Sequence, residues 1–182
     1  MKRNLAVCIL ILSVSLCLSA QDNAALFTAI DSSNVQQVKS LIATGVDINA
    51  TNKSGYTPLI YATKKGNLDI ISMLVVAGAD VNGKDTIQGD TPLIYATSRA
   101  DIPTVTLLIE KGADINLQND LNGDTPLIWA VKNNEIGIVK LLLDRGATPD
   151  QANNLGLTPL MLAESDELDK IVELLKQAGA EE

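Results

Sequence analysis

The chain has 182 residues, 46% of them hydrophobic, with no histidine and a formal net charge of −8. That acidic balance argues against nucleic acid or an anionic membrane as the main partner, since both are held by a net basic face. With no histidine, and with both cysteines (Cys8 and Cys17) close to the start, imidazole bases, thiol nucleophiles and the usual zinc sets have nothing to build on downstream.

Residues 1–20 read as a secretory signal peptide. Lys2 and Arg3 precede an apolar stretch from Leu5 to Leu18, Leu18-Ser19-Ala20 ends it on a small residue, and Gln21-Asp22-Asn23 is polar. The stretch is 14 residues long, against the roughly 20 that a membrane-spanning helix needs. The expectation is export with cleavage after Ala20, into the periplasm of a Gram-negative cell or outside any other, and no membrane contact afterwards. Cleavage removes Lys2, Arg3 and no acidic residue, so the charge falls from −8 to −10. It also removes both cysteines, and at roughly 160 residues a single domain buries enough apolar surface without disulfides.

From Asn23 onward the chain is one repeating unit. The first unit, about 24–56, places Ala25, Leu26 and Ala29 on one helix, Val35, Val38, Leu41 and Ile42 on a second, and closes on Gly45-Val46-Asp47-Ile48-Asn49. Asp22 or Asn23 is positioned to cap its first helix. The next units, about 57–90, 91–124, 125–157 and 158–182, open on Thr57-Pro58-Leu59-Ile60-Tyr61-Ala62, Thr91-Pro92-Leu93-Ile94-Tyr95-Ala96, Thr125-Pro126-Leu127-Ile128-Trp129-Ala130 and Thr158-Pro159-Leu160-Met161-Leu162-Ala163. The four threonines are 34, 34 and 33 residues apart. A fixed period near 33 is the mark of a stacked array, in which each unit hides its apolar face only against its neighbours.

The phrase predicts a helix start. Thr accepts a bond from an orphan backbone N–H, and Pro sits where no N–H is missed and its φ already suits the first turn. Leu59 and Ala62, three residues apart, share a buried face. After a break at Lys64-Lys65-Gly66-Asn67, the residues Leu68, Ile70, Ile71, Leu74 and Val75 give a second apolar helix, which Gly78 ends as a left-handed cap. Asn82 to Asp90 forms a projecting turn. In the third unit Pro103 falls in the first turn of the second helix, and the last unit's second helix, Leu168 to Gln177, carries a polar outer face suited to the end of a stack.

In order and spacing, Thr-Pro-Leu-x-x-Ala, the second apolar helix, Gly-Ala-Asp-Val/Ile-Asn (Gly78 to Asn82, Gly112 to Asn116) and a Gly just before the Thr (Gly55, Gly89, Gly123, Gly156) resemble the ankyrin-repeat family. The resemblance implies an all-α solenoid of about five helix-pair repeats over 21–182, with turns projecting to one side and a protein-binding role. One departure recurs. Where the family usually has His after Thr-Pro-Leu, this chain has Ile60, Ile94, Ile128 and Met161, so apolar packing must replace a polar link between repeats.

Two positions beyond Leu59, the side chain of Tyr61 faces away from the core side, and Lys64 and Lys65 follow it into the concave groove that the resemblance implies. The equivalent residues are Tyr95, Ser98 and Arg99, then Trp129, Lys132 and Asn133. Tyr61, Tyr95 and Trp129 would form a ladder at the 8–10 Å spacing of packed helices, with Tyr56 at the base of a turn on the same side and Lys64, Lys65, Arg99 and Lys132 as a basic border. Rigid aromatics ringed by Arg and Lys are what interface hot spots are made of. The opposing reading makes the aromatics core fillers, as Leu162 is, and the cations ordinary solvated helix ends. On the turn tips Asn52-Lys53-Ser54, Asp85-Thr86-Ile87-Gln88 and Asp120-Leu121-Asn122, the residues Ile87 and Leu121 either contact a partner or fold back on their own turns.

Catalysis has little support. Asp80 with Asp85 and Asp114 with Asp120 are paired carboxylates, but Asp in Gly-Ala-Asp is read as turn-forming. The glycines are spaced as helix ends rather than as a phosphate loop, and no calcium loop is complete. The sequence therefore points to a non-enzymatic, monomeric, exported module that needs no cofactor or metal and binds a protein. It would help a periplasmic enzyme, with an immunity-type inhibitor of a toxin or a self-associating scaffold as alternatives.

Overall fold

The computed structural model describes residues 22–181. The signal peptide and its cut after Ala20 lie outside the described residues. Five helix pairs follow one another, and no strand interrupts them among the described residues. The pairs are α1 (22–31) with α2 (Val35–Ala43), α3 (Pro58–Lys65) with α4 (Leu68–Val76), α5 (Pro92–Ser98) with α6 (Ile102–Glu110), α7 (Pro126–Lys132) with α8 (Ile136–Asp144), and α9 (Pro159–Ser165) with α10 (Asp169–Gln177).

Helices of seven to nine residues such as α5, α3 and α4 are too short to persist alone in water, so packing must hold them. Local chemistry starts them. The hydroxyls of Thr57, Thr91, Thr125 and Thr158 accept from the backbone N–H of Ile60, Ile94, Ile128 and Met161, each at 3.2 Å, with Pro at the first helical position each time. Asn34, Asn67 and Asp101 cap the second helices α2, α4 and α6 in the same way. Gly78, at φ +94°, ends α4 in the left-handed region where a side chain would be strained. Three boundaries differ from the expectation by one or two residues. Lys64 and Lys65, expected in the break, complete α3. The first helix is already formed at residue 22, so Asp22 and Asn23 lie inside it, and Leu168 falls at the cap of α10 rather than within it.

Leu59, Ala62, Leu93, Ala96, Leu127 and Ala130 from the first helices meet Ile70, Leu74, Val105, Leu108, Ile138 and Leu142 from the second in one continuous core that runs through every repeat. Ile60, Ile94 and Ile128 are also fully buried but stand apart from that core. Met161, at the same register of the fifth repeat, is exposed, with none of the described residues packed over it. The apolar replacement of the family's His is thus satisfied by burial wherever a neighbour exists.

Successive turns are tied together by a ladder. Asn49, Asn82 and Asn116 accept through Oδ1 from the backbone N–H of Asp80, Asp114 and Thr148 one repeat further on, at 2.9, 2.8 and 2.8 Å. Asp80 and Asp114 each accept from the N–H two residues on, which makes them turn-forming carboxylates. At the tips, Thr86 N–H donates to the Gly55 carbonyl, Asp120 N–H to that of Gln88 and Asn154 N–H to that of Asn122. First helices pack on first helices more closely than second helices do on second helices. The stack therefore bends toward the first-helix side, and that face is the concave one.

Candidate functional site

Aromatic side chains gather at the N-terminal half of the concave face. Tyr61 meets Phe27 edge-on, with centroids 5.7 Å apart, and stacks with Tyr56 at 6.3 Å. Tyr56 in turn meets Tyr95 edge-on at 6.0 Å. The evenly spaced ladder of Tyr61, Tyr95 and Trp129 expected from the sequence is therefore not what forms. Tyr56 fills the gap between Tyr61 and Tyr95, because it holds the position just before Thr57 that Asp90 and Asp124 hold before Thr91 and Thr125. Those aspartates instead accept, buried, from the side-chain amides of Asn119 and Asn153 in the next turn, at 2.9 Å each. No ring reaches Trp129, and among the described residues it makes no aromatic contact.

Tyr56, Tyr61, Tyr95 and Trp129 are all half-buried. Only Tyr61 of the four packs against the edge of the core. Two hydroxyls are anchored: Tyr61 donates to Asp31 Oδ1 at 2.7 Å and Tyr95 to Asp85 Oδ2 at 3.0 Å. Both phenols are pushed above the ordinary tyrosine value, Tyr61 chiefly by its bond to Asp31, Tyr95 chiefly by burial and then by its bond to Asp85. At the same register the Trp129 indole N–H is shut off from solvent and has no acceptor.

The four cations expected along this face divide into two kinds. Lys65 pairs with Asp31 at 2.5 Å and lies 5.3 Å from the Tyr61 ring centroid. That pairing holds the Asp31 carboxyl below, and the Lys65 ammonium above, their ordinary values. Lys132 pairs with Asp124, whose carboxylate is only 1% exposed and also accepts from Asn122 and Asn153. Lys64 and Arg99 have no carboxylate partner among the described residues. Lys64 Nζ donates to the Tyr56 hydroxyl at 2.8 Å and sits 4.4 Å above that ring, and Arg99 Nη1 donates to the Lys64 carbonyl at 3.0 Å. The uncompensated positive charge on this face therefore lies beside the aromatic cluster, at Lys64 and Arg99.

On the turn tips Ile87 and Leu121 are exposed rather than folded back. Leu155 continues their row and is exposed as well. Its spacing of 34 residues from Leu121, equal to that between Ile87 and Leu121, was the available signal for it. Phe27 and Asp31 also complete the cluster without having stood out in the sequence, and Asp85, read there only as a turn carboxylate and turn-tip residue, joins it through the Tyr95 hydroxyl. Phe27 lies in the atypical first repeat, and the part the two aspartates play here is seen only from the tyrosine hydroxyls that reach them. Among the described residues no three His, Cys, Asp or Glu side chains form a metal-ligating group, and no helix is long and apolar enough to cross a membrane.

The chain shares segments with proteins of very different lengths. It is 43% identical over 51 residues to an ankyrin repeat protein of Fowlpox virus, covering 28% of this chain and 36% of that protein. It is 40% identical over 60 residues to the mitochondrial disaggregase of Bos taurus, 33% of this chain and 9% of that protein. It is 42% identical over 57 residues to protein phosphatase 1 regulatory subunit 27 of Homo sapiens, 31% of this chain and 37% of that protein. The chain thus spans well under half the length of these relatives. The model of ankyrin repeats in three copies matches residues 2–85, 26–119 and 93–182. Taken with five helix pairs and a ladder of linked turns, this match along the chain makes the protein a member of the ankyrin-repeat family.

Proposed function

We propose that this protein is a non-enzymatic, exported binding module that holds a segment of a partner protein against its concave face and turn tips, as the helper of a periplasmic enzyme. The observation that carries the reading is the half-exposed cluster of Tyr56, Tyr61 and Tyr95 with Lys64 and Arg99 left without carboxylates beside it. Such a surface suits a partner segment that sets an acidic side chain next to an apolar one. Ankyrin repeats generally mediate protein–protein interaction, and one relative is by its name a regulatory subunit of a phosphatase, which supports an accessory role. Trp129, Lys132, Ile87 and Leu121 extend the surface along the stack, and the apolar leader supports export.

The test starts with residues 21–182 as bait in the exported fraction, and the captured protein is identified by mass spectrometry. Trp129→Ala then weakens binding of that partner by about 2 kcal/mol or more, with little change in melting temperature because the ring stands off the core. Unchanged binding together with a large drop in melting temperature would make Trp129 a packing residue and remove the concave-face reading. Capture of a delivered toxin would replace the helper role by inhibition. A discrete oligomer in light scattering, broken by the same substitution, would replace it by self-association.

A further inference from the structure

The second-helix layer, on the opposite side of the stack, carries a surface that plays no part in the concave face. Leu68, Ile102 and Ile136 open the second helices α4, α6 and α8, and they are 41%, 48% and 38% exposed. They recur every 34 residues, so they form a row across the stack rather than scattered apolar points. Because second helices pack on each other less closely than first helices do, the space between α4 and α6 stays open. It forms a groove of about 440 Å³ with Leu68, Ile102, Pro103 and Leu107 as its apolar lining, Asp69 on one wall and Glu110 on the other. Asp69 and Glu110 are its charged groups, both are exposed, and neither has an ion-pair partner among the described residues.

We propose that this groove is a second docking site, for an amphipathic segment of a partner protein that carries apolar side chains together with Lys or Arg. The apolar row gains by being covered. The two unpaired carboxylates select a cationic segment over an acidic one, and the chain's net charge of −8 steers such a segment toward it. Pro103 and Glu110 lie about 10 Å apart along α6. A helical occupant laid along the groove therefore sets its apolar anchor and its basic residue about two turns apart. This site does not depend on the concave face, and a partner can use either alone.

The experiment uses the whole exported chain and two synthetic amphipathic helices, one of leucine and lysine and one with glutamate in place of lysine. Backbone amide resonances locate the site and anisotropy gives the affinity. The lysine helix is expected to shift the amides of Leu68, Ser72, Thr106 and Leu107. Its affinity should fall at least tenfold in Asp69→Lys/Glu110→Lys and in Ser72→Arg, which fills the groove, and stay unchanged in Trp129→Ala. Circular dichroism checks that these substitutions leave the fold intact. Equal binding of the glutamate helix, shifts confined to Tyr61 and Tyr95, or indifference to the groove substitutions would overturn the proposal. Concentration-dependent shifts of the groove amides without any peptide would also overturn it, by assigning the groove to a second copy of the chain.

Discussion

Thr63, Thr97 and Val131 hold one register in three successive repeats, and the differences among them expose a local cost. Thr63 donates to the Leu59 carbonyl at 2.9 Å, Val131 is apolar and sits in the core, but the Thr97 hydroxyl is fully buried with no partner. An unmade bond there costs about 1–3 kcal/mol. Thr97→Val should therefore raise stability by about 1 kcal/mol in denaturant titration, the opposite of the usual result for a buried substitution. Asp90 carries a cost of another kind. Burial pushes its carboxyl above the ordinary value, with Asp85 and Asp124 adding to the effect and the bond from Asn119 opposing it. The folded chain thus holds that proton at a pH where the unfolded chain has released it. The penalty is present at neutral pH and is relieved as pH falls through the raised value. Asp90→Asn keeps an acceptor for Asn119, so its melting temperature at pH 7 should equal or exceed that of the wild type. The gap should narrow as the pH is taken toward about 4, near the unfolded carboxylate value. A loss at neutral pH would mean that the charged bond to Asn119 outweighs burial.

At the scale of the element, the starts of the four Thr-Pro helices were legible because their cause is local. Thr, Pro and the N–H three residues after the Thr lie within one turn, and no distant contact is needed to bring them together. The breaks between paired helices were only partly legible. Each passes through one left-handed residue, and those residues are Ser33, Gly66, Ala100, Asn134 and Glu167. Gly66 announces itself and Asn134 tolerates the left-handed region, whereas Ser33, Ala100 and Glu167 adopt φ between 52° and 56° against their preference. The packed helices on both sides enforce the turn. Ala100→Gly relieves that strain at the position where the preceding repeat already has glycine, and should stabilise the protein by about 1 kcal/mol. Thermal melts of the single variant check it, and a lower melting temperature would show that the flexibility added to the unfolded chain is the larger effect. The same substitution at Ala130, buried inside α7, would instead destabilise, through lost helix propensity and lost core packing together.

For the whole molecule, stability is a sum of weak units and the interfaces between them. Leu127 is buried in the continuous core of a central repeat, with α5 and α9 packed on either side of its helix. Leu127→Ala should cost about 2–5 kcal/mol. Met161→Ala, at an exposed site of the last repeat, should cost little, and urea titration separates the two. If they cost the same, the core would not run continuously through the stack as described. The sequence by itself determined the repeating helix pair, its boundaries to within one or two residues, and which residues face the core. Those follow from periodicity and from bonds made within one turn. Only the tertiary structure decided how the surfaces are assembled, because stacking sets which side chains of different repeats meet. It put Tyr56 between Tyr61 and Tyr95, gave Lys65 and Lys132 to Asp31 and Asp124 while leaving Lys64 and Arg99 without carboxylates, and opened the groove between α4 and α6. Contacts made about thirty residues apart depend on the bend and spacing of the stack, which no local pattern encodes.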